Sequence, residues 1–227
     1  MVRVLVVVLL VSIAVVLQQR VGRRLFAKTL EETVVALRTE AGERLRAKGA
    51  RGPFAELVLV ADKAGRRLDV LARATDSERF ERVLEYPILA ASGTAGPKLR
   101  EGDRQVPEGV YRVLSLNPNS RFHLSLELDY PNAFDRARAS EEGRTEPGSD
   151  IFIHGGAKSV GCLAIGDPAI EEVFLLVAET GIGNVAALLC PSDPKGPFER
   201  AGAADLPVWV EEVDARLDGE LRRVGLR

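Results

Sequence analysis

The chain of 227 residues opens on a continuous apolar run, Val4 to Leu17, broken only by Ser12 and preceded by Arg3. A helix needs ~20 such residues to cross a bilayer core, so this length suits the hydrophobic region of an export signal. No small-x-small cleavage pattern follows in Gln18-Gln19-Arg20, which favours an uncleaved signal anchor over a cleaved peptide. The flanking charges, Arg3 on one side and Arg20, Arg23, Arg24 and Lys28 on the other, pull against export under the positive-inside rule.

Beyond this run the pattern changes period. Thr29 and Glu32 have capping-box spacing, and Leu30, Val34, Leu37, Ala41 and Leu45 recur at three and four residues until Gly49. This predicts an amphipathic helix, with packing on its own domain favoured over a stalk or dimer seam because the pattern spans only about two heptads. Alternating or apolar runs then occur at Glu56–Val60, Arg67–Leu71, Arg82–Ala90, Tyr111–Leu116 and Phe122–Leu128, separated by Gly, Pro, Asp and Asn. A predominantly β, mostly antiparallel architecture follows, with a hairpin connection at Asp62-Lys63-Ala64-Gly65. Residues 137–148, rich in Arg, Glu, Gly and Ser, read as an exposed loop that could rim a cleft.

Asp167 and Pro168 suit the N-cap and first turn of a helix with a buried stripe of Ile170, Val173, Phe174 and Val177, ended by Gly181. Its N-terminal dipole is a candidate to assist a nearby thiolate. Val185–Leu189 reads as a buried strand. Val210, Val213, Leu217, Leu221 and Val224 mark a C-terminal amphipathic helix with Trp209 beneath it. A net charge of −2 and a pI near 5.9 carry no electrostatic footprint for nucleic acid.

The chemistry concentrates in Ile151–Ile165, where one of two histidines, His154, precedes one of two cysteines, Cys162, by eight positions. A Gly- and Ser-rich connection lets the chain fold back between two apolar runs, a turn able to set imidazole beside thiol. A thiol is a weak nucleophile until deprotonated, so Cys162 is the candidate nucleophile and His154 its base. Gly161 lets a carbonyl approach the backbone, and the N–H groups near Cys162 are candidates for an oxyanion hole in the neighbourhood of Gly155, Ser159 and Gly161. Ser159 also suits a turn-stabilising hydroxyl bond. Cys190 reads as a free, buried thiol, since a bridge to Cys162 would consume the nucleophile. His123, His154, Cys162 and Cys190 lack the close spacing of a zinc site, so no metal is expected.

The same stretch resembles the catalytic motif of L,D-transpeptidase (YkuD-type) domains, particularly their YafK-like branch. Gly96-Pro97-Lys98, Gly102-Asp103, Pro107-Glu108-Gly109 with Tyr111, and Tyr130-Pro131-Asn132 with Asp135 resemble the family's G-P-K, G-D, T-P-E-G-x-Y and Y-P-N signatures in order. Val160 before Gly161-Cys162 replaces the histidine many members carry, as is usual for the YafK-like branch, and Gln105-Val106 departs from the family's usual residues before Pro107.

The resemblance implies a β-sandwich catalytic domain over 51–200, flanked by a signal or anchor at 1–24, a helix at 25–50 and a C-terminal helix at 201–227. It implies a cysteine acyltransferase acting on peptidoglycan stem peptides at the cell envelope, on the periplasmic or extracytoplasmic side. Membrane contact would come through the N-terminal segment only. Cys162 would attack at the diaminopimelate–D-alanine bond and pass the acyl group to an amine. Hydrolysis, including release of a wall-attached lipoprotein, is the alternative, beside a noncatalytic wall-binding module or an ordinary cysteine peptidase. Lys98, Asp103, Glu108 and His123 are supporting residues, and thiol-imidazole chemistry needs no cofactor.

Overall fold

The computed structural model describes residues 27–50, 52–202 and 205–227. The expected signal or anchor lies outside the described residues, among which no helix is long and apolar enough to cross a membrane. The described residues form nine strands in chain order: β1 (Phe54–Asp62), β2 (Arg67–Ala74), β3 (Phe80–Pro87), β4 (Ala90–Ala91), β5 (Gly109–Ser120), β6 (His123–Leu128), β7 (Phe152–His154), β8 (Leu163–Ala164) and β9 (Val185–Cys190). Their spatial order is β3-β2-β1-β9-β5-β6-β7-β8-β4. The pairs β1/β9 and β7/β8 are parallel and the others antiparallel.

Strand β5 joins the two halves, pairing with β9 over Gly109–Arg112 and with β6 over Val113–Ser120. Both halves enclose one core, to which Leu57, Leu59 and Val70 contribute from one side and Leu126, Ile153 and Leu163 from the other. Helix α3 (Asp167–Thr180) seals it with Ile170, Val173, Phe174 and Val177. On the opposite face of β1, Val58 and Val60 join Leu188 and Cys190 against Val213, Leu217 and Leu221 of helix α4 (Val210–Arg223). Burial on both faces explains why β1 and β9 read as continuous apolar runs.

Helix α1 (Leu30–Ala47) carries the expected capping box between Thr29 and Glu32 and lies on its own domain. Its attachment includes a buried acid: Glu172 of α3 accepts from Arg44 Nε at 2.8 Å, Lys48 Nζ at 2.6 Å and the Tyr86 hydroxyl at 2.5 Å. Trp209 is half-buried, edge-on to Phe134, and its Nε1 donates to Glu142 at 2.7 Å.

Three expectations need correction. The segment read as a loop at 137–148 is helical in its first part, within α2 (Ala133–Glu141). This helix is polar with only Ala139 buried, so it shows no apolar stripe, yet Asn132 and Asp135 form a capping box that starts it. The helix expected to be capped by Asp167 starts one residue earlier, with Gly166 as its N-cap and no side-chain cap. The Arg82–Ala90 run is two strands, since β3 ends at Pro87 and the chain turns before β4.

Candidate active site

The connection between His154 and Cys162 does more than fold back. It loops out and returns to the starting end of β7, so that β8 runs parallel to it with Ile153 opposite Leu163 and His154 opposite Ala164. Continuing that register, Cys162 lies level with Phe152, on the same face as His154 but two residues, roughly 7 Å of strand, away. No hydrogen bond joins Sγ to the imidazole in this structure. Sγ points instead to the carbonyl of Asp150, at 3.5 Å.

His154 is held as a base. Its Nδ1 is 2.7 Å from the Gly155 carbonyl, which can only accept, so Nδ1 carries the proton and Nε2 is left as the acceptor. The ring is buried and stacks on Phe122, centroids 4.5 Å apart. Burial holds its pKa below the ordinary value of 6.5, partly offset by the Gly155 bond, so the imidazole is neutral near pH 7. Gly155 is required sterically, because a Cβ there would lie 2.6 Å from both the Phe122 carbonyl and Asp167 Oδ1. Asp167 accepts the Gly156 N–H at 2.7 Å, so the start of α3 braces the glycine turn behind the imidazole.

Cys162 is half-buried. Burial pushes the thiol above its ordinary value; the Phe152 backbone N–H opposes this, the Asp150 carboxylate adds to it, and the Lys98 ammonium opposes it. The resting pair is therefore neutral thiol and neutral imidazole. Gly161, at φ 92°, aims its N–H at Ser92 Oγ, 2.5 Å away. The Cys162 N–H donates to Ser159 Oγ at 2.9 Å, and that hydroxyl donates back to the Cys162 carbonyl at 2.6 Å. Gly155 commits its own N–H to the Leu124 carbonyl at 3.1 Å.

The upstream motifs build the adjoining wall. Lys98 Nζ donates to Asp103 at 2.6 Å, and Asp103 also accepts from the backbone of Leu99, Arg100 and Gln105. Burial would raise the Asp103 carboxyl, but Lys98 and these N–H groups hold it below the usual range. Tyr130 donates to the Pro147 carbonyl at 2.7 Å, joining the Tyr-Pro-Asn segment to the chain entering β7. A cleft of about 790 Å³, lined by Pro131, Arg136, Ser140, Arg144 and Ser149, opens beside this junction.

Glu108 sits deeper, fully buried, and accepts from Gly96 N, Lys63 Nζ and Arg200 Nε at 2.9, 2.8 and 2.7 Å. It organises the loop that carries Lys98. His123 lies at the β5–β6 turn with its Nε2 2.7 Å from Glu171 of α3, and this contact takes it into the α1–α3 salt-bridge cluster. His123, His154, Cys162 and Cys190 do not converge, and no metal-binding cluster of three or more His, Cys, Asp or Glu occurs among the described residues. Ser92, Phe122, Asp150, Lys63 and Arg200 were not legible as site or support residues. Their links to the motifs run across 12 to 92 sequence positions, and only the tertiary packing of loops and strand ends brings them together.

Residues 56–188, more than half of the chain, match the family described as the L,D-transpeptidase catalytic domain. The chain belongs to this family. Within the L,D-transpeptidases, it is 37% identical over 117 residues to the protein named "Putative L,D-transpeptidase YafK" from Escherichia coli (strain K12), an alignment covering 51% of this chain and 44% of the relative. The helical cell shape determining protein Pgp2 of Campylobacter jejuni has a similar fold, with TM-score 0.50 at 20% identity over 68% of this chain and 56% of that one. The chain thus spans about half the length of these relatives. The L,D-transpeptidase match contains every motif from Gly96 to Cys162, including both candidate catalytic residues.

Proposed function

We propose that this protein is a cysteine acyltransferase of peptidoglycan stem peptides, acting outside the cytoplasmic membrane. The observation that carries this reading is the contact of His154 Nδ1 with the Gly155 carbonyl, which leaves Nε2 free to accept, on the strand next to Cys162 inside a matched L,D-transpeptidase domain. As substrate enters, the thiol leaves the Asp150 carbonyl and Sγ attacks the carbonyl between diaminopimelate and D-alanine. Its proton passes to His154 Nε2. Collapse of the tetrahedral adduct expels D-alanine, whose amine takes that proton, and leaves a thioester on Cys162.

An incoming amine then attacks the thioester, giving a proton to His154 and restoring the thiol. Water in place of the amine gives hydrolysis through the same acyl-enzyme. A wall-attached lipoprotein is a further candidate partner, as the source of the amine or as the released product. No step calls for a metal or organic cofactor.

Intact-mass measurement after incubation with a disaccharide tetrapeptide, or with a carbapenem, tests the reading against a Cys162→Ala control. We expect an adduct on Cys162 that the control lacks, with D-alanine released from the tetrapeptide. A folded protein with a free, alkylatable Cys162 and no adduct with either reagent would refute the acyltransferase reading and leave a wall-binding module.

A further inference from the structure

The two amides expected to form an oxyanion hole are already partnered by hydroxyls. Ser159 accepts from the Cys162 N–H and returns its only proton to the Cys162 carbonyl, so it has no donor left. Ser92 differs. It accepts the Gly161 N–H at 2.5 Å, and no acceptor for its own proton is found among the described residues. It follows directly on β4, which pairs antiparallel with β8 through Ala91 opposite Leu163 and Ala90 opposite Ala164. One more step in that register sets Ser92 opposite Cys162, where facing residues of antiparallel strands lie ~5 Å apart and project to the same face. Ser92 is half-buried, so the hydroxyl is not sealed off from an incoming group.

We propose that the Ser92 hydroxyl is a catalytic hydrogen-bond donor that holds the oxyanion formed when Cys162 attacks a carbonyl, a role resting on the nucleophile reading above. The Gly161 N–H, donating into Ser92 Oγ, polarises the O–H and makes it a stronger donor toward negative charge. Ser92 forms and breaks no covalent bond. It stabilises the tetrahedral adduct more than the planar substrate carbonyl, because the charge appears only there. Gly161 and Ser159 then act behind it, fixing the turn.

The test compares two reactions of the same thiol in the full chain. Acylation by a carbapenem passes through an oxyanion, whereas alkylation by iodoacetamide is a displacement that builds none. For Ser92→Ala we expect carbapenem acylation to slow on the order of 10²-fold, as for loss of one oxyanion donor, with the alkylation rate unchanged. Ser92→Thr, which keeps the hydroxyl, should recover most of the acylation rate. If Ser92→Ala acylates as fast as the parent or faster, the freed Gly161 N–H is the donor and the proposal is wrong. Equal slowing of both reactions would also overturn it, by showing that Ser92 only shapes the nucleophile's surroundings. A parent protein alkylated at Cys162 but never acylated removes the acyltransferase reading itself, and this proposal with it.

Discussion

Glu108→Gln is the substitution whose cost the structure specifies most closely. The Glu108 carboxylate is fully buried between Lys63 and Arg200, whose side chains are only 8% and 7% exposed. Three donors converge on it: Lys63 Nζ, Arg200 Nε and the Gly96 N–H. A carboxamide keeps the volume but offers one oxygen to those donors and turns an NH₂ group toward the rest. Breaking a buried ion pair by removing one partner costs about 3–5 kcal/mol.

The lower end applies here, because Lys63 keeps the carbonyls of Gly96 and Val106 and Arg200 keeps Asp214. A loss of about 3 kcal/mol corresponds to a fall in Tm of roughly 6–12 °C for a chain of this size. Urea unfolding followed by the fluorescence of Trp209, the only tryptophan, reads it directly. The loss also has a pH signature. Burial holds the Lys63 amine below 10.5 despite the pull of Glu108, and removing the carboxylate lowers it further. Between that lowered value and 10.5 the unfolded chain binds more protons, so the variant gains stability as pH rises and its deficit narrows. A deficit below about 1 kcal/mol, or one independent of pH, would refute the buried-charge account.

Three more outcomes follow from the same geometry. Carbapenem acylation should rise with pH as His154 loses its proton, with its midpoint below 6.5, and then level off; a rate that keeps climbing through pH 9 would mean a thiolate-driven reaction instead. Gly155→Ala should lose about 1–3 kcal/mol by overpacking against the Phe122 carbonyl and Asp167. It should also slow acylation, since the Gly155 carbonyl orients Nδ1; unchanged melting and rate would contradict the steric argument. Leu217→Ala should cost about 2–5 kcal/mol in urea unfolding. Its alkylation rate at Cys162 should not change, because α4 packs on the face of β1 and β9 away from the main core.

The chain's local patterns were readable for reasons that operate over a few residues. The Thr29–Glu32 capping box, the stripe of α3, the continuous apolar run of β1 and the apolar alternation of β6 each follow from the pattern of one element. The polar helix α2 escaped because its signal is a cap and not a stripe. Cys162 and His154 were candidates because thiol and imidazole chemistry is carried by residue type, and the upstream motifs marked the wall around them.

The amino-acid sequence by itself determined the element types, the family motifs and the identity of the nucleophile–base candidates, since these depend on side-chain chemistry and short-range periodicity. Only the tertiary structure decided that β7 and β8 run parallel, which offsets Cys162 from His154, and that the hydroxyls of Ser92 and Ser159 occupy the Gly161 and Cys162 amides. It alone brought Glu108 between Lys63 and Arg200, 45 and 92 positions away. Such pairings depend on strand register and on two-sided burial of the sheet, which are properties of the whole packed chain.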